Sequence, residues 1–466
     1  MSCIVPPARL LSRKAHQIPG QLHVTELLFE VPKNYADPTA GTLKLFGRSV
    51  RKHEKPITPL GVKELEALDK LPYLVYLEGG PGFGNREPQD SSLTRYALSR
   101  GYQLLFLDYR GTGLSTPINA QHLRTLGGPQ AQADYLKLFR ADNNVRDLEA
   151  VRKFLTADFP EDRKKWSIFG QSFGGFVALS YLSKHPLGLR EVFLTGGLAP
   201  IRRTAEEVYR ATYKKTAERN DAYYRKYPED IENVRRIVEY LVKNKPPLPG
   251  GGLLTAQRFL SFGIGFGAHG GLDSIHSLVL KLITDLDTFG FLTRSSLVAT
   301  EQHNPLDTNP IYAILHEPIY CFNKGMASNW AAARVGSDLE DFLWTQDENR
   351  ISKSRPIYFT GEMIYPFHFD TYPELMEMKE AARILAEFDG WDDLYDASVL
   401  RRNPIPVYAV SYVDDMYVDH GFARETADLV GAMEVHETNG MYHNAIRAKA
   451  GDVLDQLFRL RDDTLD

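Results

Sequence analysis

The sequence predicts an α/β fold, a mostly parallel, doubly wound sheet split by a mostly helical insertion. Three observations point to it: short apolar runs each closely followed by Gly or Asp, helical periodicity between those runs, and a long central stretch where the alternation stops. The runs are Leu71 to Leu77 (LPYLVYL), Tyr102 to Leu107 (YQLLFL), Trp166 to Phe169 (WSIF) and Glu191 to Thr195 (EVFLT). Continuous apolarity over so short a span suits strands buried on both faces, the condition of a parallel sheet. The clearest helix between them is Asn143 to Phe159, where Val145, Leu148, Val151, Phe154 and Leu155 recur at helical spacing. Strand and helix in alternation mark a doubly wound domain.

Ahead of these runs, His16 to Lys52 is Thr-, Val-, Leu- and Phe-rich text broken at Asn34-Tyr35 and Gly41, which suits an antiparallel hairpin region. After Pro200 comes charged helical text (RRTAEEVYRATYKKTAERNDAYYRKY), then the Pro/Gly run Lys245 to Gly252, then further helical segments rich in aromatics. Strand text returns at Ile405 to Ser411, and an amphipathic helix from about Asp452 to Arg461 closes the chain. The expected organisation is a sheet domain in two parts, residues 1–200 and 403–466, around a helical cap at 201–402.

The composition, 43% hydrophobic and 25% charged over 466 residues, is that of an ordinary globular protein and excludes a disordered or fibrous chain. A net charge of -5 without a long Lys/Arg run marks no nucleic-acid or anionic-membrane surface, so a small or peptide-sized partner is expected. No apolar run approaches the roughly 20 residues a spanning helix needs. The N-terminus has no basic segment followed by a signal-like apolar stretch, although Arg9, Arg13 and Lys14 give a weak organelle-targeting signal. Two distant cysteines, Cys3 and Cys321, cannot build a disulfide framework or a four-cysteine zinc site, so a reducing, cytoplasmic location is expected.

The chemistry starts at Gly170-Gln171-Ser172-Phe173-Gly174, which fits G-x-S-x-G between the strand WSIF and the helical stretch Gly175 to Leu182. In that context the glycines let strand and helix approach closely while the serine sits on a strained turn with its hydroxyl exposed, the nucleophile turn of an α/β-hydrolase. A serine hydroxyl needs a base, and the base an orienting acid, in the chain order Ser, Asp or Glu, His. Strand Ile405 to Ser411 runs into Asp414-Asp415, and either acid could serve or be a turn aspartate. His443 follows a Gly-containing strand end and precedes the last helix, whereas its rival His436 lies within strand text (MEVHET). The oxyanion needs backbone N–H donors. Glu78-Gly79-Gly80-Pro81-Gly82 follows an early strand, so Gly80 and Phe173, the residue after the nucleophile, are the expected donors. Asp108-Tyr109-Arg110-Gly111-Thr112-Gly113 lacks the Lys-Ser/Thr of a P-loop and the G-x-G-x-x-G of a dinucleotide site and reads as structural.

Taken together, EGGPGFG (Glu78 to Gly84), LDYRGTGLST (Leu107 to Thr116), GQSFGG (Gly170 to Gly175), VDDMYV (Val413 to Val418) and GMYHN (Gly440 to Asn444) resemble the prolyl aminopeptidases, or proline iminopeptidases, across most of the chain. One departure is Glu78, where many members carry His before GGPG; it should alter loop hydrogen bonding and not the backbone donors. The resemblance implies Asp415 as the triad acid and release of an N-terminal residue, typically proline, from short peptides with a free N-terminus. It also makes Asp108 to Gly113 a loop after a sheet strand, in which Asp108 and Arg110 would pair locally, and the serine mechanism needs no cofactor and no metal. Holding an ammonium calls for a confined carboxylate. Glu317, in the Glu-x-x-Tyr segment ending at Tyr320, resembles the family's amine-binding glutamate, and Glu362 is a second candidate. The competing expectations are a carboxylesterase or amidase on the same scaffold and a non-catalytic ligand-binding homologue.

Overall fold

Each apolar run becomes a strand of one sheet. The computed structural model describes residues 5–463, so Cys3 lies outside the described residues. The strands are Arg9–Ile18 (β1), Leu22–Pro32 (β2), Thr42–Lys52 (β3), Tyr73–Leu77 (β4), Gln103–Leu107 (β5), Trp166–Gln171 (β6), Leu189–Thr195 (β7), Val407–Tyr412 (β8) and Met433–Thr438 (β9). Their order is β1-β2-β3-β5-β4-β6-β7-β8-β9. Pairing is antiparallel from β1 through β3 to β5 and parallel from β5 to β9. The hairpin text thus yields three antiparallel strands, and the first begins earlier than its sequence suggested. β1 is an edge strand with mostly exposed residues, among them Arg9, Arg13 and Lys14, so it lacks the continuous apolar signal of a buried strand.

β4 and β6 are buried at every residue, because helices cover both faces of the sheet centre. On one face the helix Ala141–Leu155 buries Val145, Leu148 and Val151, and the helix Phe173–Lys184 is buried through Ser183. On the other, the terminal helix Ala450–Asp462 buries Val453, Leu454, Leu457 and Phe458, with the Phe458 ring 4.9 Å from that of Phe193 on β7.

Between β7 and β8 the described residues form helices and no sheet strand. The charged text after Pro200 is the helix Ala205–Lys226, opened by a capping box in which Thr204 Oγ1 accepts from Glu207 N–H and Glu207 Oε2 accepts from Thr204 N–H. The Pro/Gly run turns the chain back on itself through a bridge between Pro247 and Leu253. No helix among the described residues is long and apolar enough to cross a membrane.

The register fixes where chemistry can gather. Leu77 lies beside Gly170, Gln171 beside Thr195, Thr195 beside Val410, and Tyr412 beside Thr438. The carboxyl ends of β4, β6, β7, β8 and β9 are therefore level, and the loops leaving them meet along one rim.

Candidate active site

Ser172 sits on that rim between β6 and the helix Phe173–Lys184, with φ 53° and ψ -122°. A non-glycine residue at positive φ is strained and must be held by its surroundings. Here the hold is the approach of helix to sheet: a Cβ on Gly174 would lie 2.0 Å from the Leu77 carbonyl oxygen, and one on Gly170 2.6 Å from that of Gly174. Ser172 N–H donates to Thr195 O at 3.1 Å, and Ser172 O accepts from Gly175 N–H at 2.7 Å.

The loops after β8 and β9 bring Asp415 and His443 to this serine. His443 Nε2 lies 2.8 Å from Ser172 Oγ, and His443 Nδ1 lies 2.8 Å from Asp415 Oδ2. The other Asp415 oxygen accepts from Tyr417 N–H at 2.8 Å and Val418 N–H at 3.0 Å, so the carboxylate is oriented from both sides. Asp414 points elsewhere. It is half-exposed and meets Lys215 at 3.4 Å. Burial alone would lower the His443 pKa, but the Asp415 carboxylate and its hydrogen bond outweigh that and hold it above the ordinary histidine value. His436 lies on β9, and burial lowers its pKa.

The Glu78–Gly84 loop leaves β4 directly against the turn that holds Ser172. A Cβ on Gly79 would lie 2.3 Å from Gln171 Oε1 and 3.1 Å from Ser172 Cβ. Gly80 has φ 129°, and among the described residues its N–H donates to no backbone acceptor. Phe173 opens its helix, where the first N–H groups have no intrahelical partner. Two backbone donors thus flank the serine on adjoining turns. Glu78 engages the loop as its departure suggested: Oε1 accepts from Gly79 N–H at 2.8 Å and from Arg447 Nη2 at 2.7 Å.

The two glutamates of the helical insertion have different surroundings. Glu317 is buried, and its oxygens accept from Ala331 N–H at 3.1 Å and Ala332 N–H at 2.9 Å, at the start of the helix Ala331–Ser337. Burial pushes its pKa up to about 7, against the pull of those amides. Glu362 is half-buried and met by a neutral donor, the Tyr312 hydroxyl, at 2.7 Å from Oε1. Its charge reaches His443 and the phenols of Tyr312, Tyr320 and Tyr417 and raises the pKa of each; desolvation raises the three phenols more strongly and opposes the rise at His443.

One local expectation is overturned. Arg110 pairs with Asp147 on the helix Ala141–Leu155 and not with Asp108: its Nε and Nη2 lie 2.7 and 2.6 Å from the two Asp147 oxygens. Asp108 instead accepts from Asn85 N–H at 2.7 Å and Leu114 N–H at 2.8 Å. Both residues lie in the loop beyond β5, where no strand periodicity sets their side chains together, and each finds a partner elsewhere.

Three contributors escaped sequence reading. Tyr417, whose ring centroid is 4.6 Å from that of His443, lies inside the VDDMYV motif and could have been suspected. Tyr312 and Arg447 carry no local signal, since their partners Glu362 and Glu78 are remote in sequence.

Residues 72–238 match the family model described as alpha/beta hydrolase fold. The chain is 41% identical over 462 residues to proline iminopeptidase aneH of Aspergillus aculeatus, covering 99% of each chain. It is 39% identical over 454 residues to the proline iminopeptidase of Aeromonas sobria, covering 97% of this chain and 100% of that one. With the proline iminopeptidase of Thermoplasma volcanium the likeness is 30% over 148 residues, 32% of this chain and 42% of that one. Likeness over the full length of two relatives, on an α/β-hydrolase sheet, shows that the chain belongs to the proline iminopeptidase family.

Proposed function

We propose that the protein is a serine aminopeptidase that releases an N-terminal residue, preferentially proline, from short peptides. The observation that carries this reading is the contact of Ser172 with His443 and of His443 with Asp415 beside a half-buried carboxylate, Glu362. The names of the two full-length relatives support the substrate.

Ser172 Oγ attacks the carbonyl carbon of the N-terminal residue while His443 Nε2 takes the hydroxyl proton. Asp415 keeps Nδ1 as the donor side of the ring and stabilises the imidazolium. Gly80 and Phe173 N–H groups receive the oxyanion. His443 then passes its proton to the leaving nitrogen, the C–N bond breaks, and an acyl-serine remains. Water attacks that ester with His443 as base, which frees the amino acid and restores Ser172. The scheme calls for no metal or cofactor.

Residues 201–402 act as the cap that carries the carboxylate. Glu362, whose side chain meets a phenol on Oε1 and no cation among the described residues, is placed to take the substrate ammonium. Glu317 is committed to two backbone amides and supports the cap wall, which reverses the order that resemblance implied. A cytoplasmic location suits the buried, unpaired Cys321.

The test is hydrolysis of proline p-nitroanilide by the parent and by Ser172→Ala. Substantial turnover by the variant would refute the mechanism. Faster cleavage of neutral acyl esters than of any aminoacyl substrate would instead identify a carboxylesterase.

A further inference from the structure

The ion pair between Glu78 and Arg447 joins the two loops whose spacing the reaction depends on. Glu78 is the last residue before the GGPG loop and is 3% exposed. Its Oε1 accepts from Gly79 N–H and from Arg447 Nη2, so one atom holds both the loop backbone and a side chain 369 residues away. Arg447 lies four residues after His443, on the short helix Ala445–Ala448. That helix starts immediately beyond the histidine, with Ala445 N–H donating to Tyr442 O and Arg447 N–H to Asn444 O, both at 2.9 Å. A movement of the helix therefore carries His443 with it.

We infer that Glu78 and Arg447 form a positioning pair, clamping the oxyanion loop with Gly80 to the turn with His443 so that donor and base stand at one fixed spacing across Ser172. The inference rests on the roles of Ser172 and His443 proposed above. Burial of Glu78 suits it to this task, while the Arg447 side chain that meets it is 41% exposed. A carboxylate as enclosed as Glu78 has to be compensated, so releasing Arg447 leaves a buried charge against the loop, and the clamp resists opening. Misplacement of reacting groups by about 1 Å can cost about a hundredfold in rate, which is why a contact remote from substrate can govern turnover. The pair also touches the base electrostatically. The charges acting on His443 are Asp415 from the loop after β8, Glu362 from the insertion and Arg447 from its own segment, and Arg447 alone among them lowers its pKa.

The experiment compares Arg447→Met, Arg447→Lys, Glu78→Gln and the double variant Glu78→Gln/Arg447→Met on proline p-nitroanilide, with active serines counted by a phosphonate probe. Arg447→Met is expected to lose about ten- to a hundredfold in kcat per active site with KM changed less than about threefold, the pattern of a transition-state effect. Its acid limb in kcat/KM should move to higher pH. Arg447→Lys should keep the limb in place and recover most of kcat. Glu78→Gln should lower kcat as well, and the double variant should be no worse than the poorer single one, because the two residues act as a unit. Where the buried charge prevents Arg447→Met from folding, the double variant, which buries none, carries the same comparison with the parent. Folded variants with parental kcat and acid limb, or with lowered Tm alone, would overturn the clamp. Parental turnover by His443→Ala would overturn the underlying mechanism instead.

Discussion

Tyr312 donates its hydroxyl proton to Glu362 Oε1 across 2.7 Å, and its ring centroid lies 5.3 Å from that of Phe83 in the loop after β4. One side chain thus touches both the carboxylate of the insertion and the loop that carries Gly80. Contact is close, since a Cβ on Gly82 would lie 2.7 Å from Tyr312 N. An ammonium held at Glu362 would consequently stand at a set distance from the proposed oxyanion donor, Gly80 N–H.

Glu362→Gln should raise KM for proline p-nitroanilide by about ten- to a hundredfold, the loss of a charge-assisted contact. Turnover of a neutral acyl ester should stay near the parental level. Tyr312→Phe should shift the same ratio by a smaller factor. Equal losses on both substrates would remove Glu362 from amine recognition.

Of the two adjacent acids, Asp415→Asn should reduce kcat by about a thousandfold or more, because His443 would lose the partner that sets its tautomer. Asp414→Asn should alter kcat and Tm little, since its half-exposed pair with Lys215 contributes on the order of 0–1 kcal/mol. Steady-state kinetics on the two variants decide it.

His443 must be neutral to accept the serine proton. With its pKa held above the ordinary histidine value, kcat/KM should fall as pH drops through that raised value. A pH–rate profile of the free enzyme checks this, and an acid limb well below the usual histidine range would contradict it.

Glu317 gives a stability prediction. Its folded pKa is raised to about 7, so between the ordinary glutamate value and 7 the folded state binds the extra proton. Stability should therefore decline as pH rises through that window, by a contribution on the order of 3 kcal/mol at most. Denaturation at several pH values should show this decline in the parent and a shallower one in Glu317→Gln. Parallel curves would mean that Glu317 ionises normally.

Gly174→Ala tests the Ser172 turn without altering Ser172, His443 or Asp415. The added methyl would overlap the Leu77 carbonyl at 2.0 Å, so loss of several kcal/mol or of soluble protein is expected. A parental Tm would show that strand and helix can part more easily than their contact implies.

Much of the site could be read from the chain because its pieces are local. Ser172 with its glycines, the GGPG loop and His443 after the last strand are each short segments at a strand end, and burial on both faces leaves β4 and β6 with continuous apolar text. β1 was harder to place, since an exposed edge strand carries no such text. The partner of Arg110 is not legible locally, because Asp147 sits on a separate helix.

By itself the sequence determined the strand–helix alternation, the nucleophile turn and the order serine, acid, histidine, all of which depend on neighbours within a few residues. Only the tertiary structure decided which acid faces His443, which of two glutamates keeps an oxygen turned to a phenol instead of backbone amides, and that Glu78 and Arg447 meet. Those outcomes depend on where distant segments pack, and burial, which prices each unpaired charge, is a property of the assembled core and of no single stretch of chain.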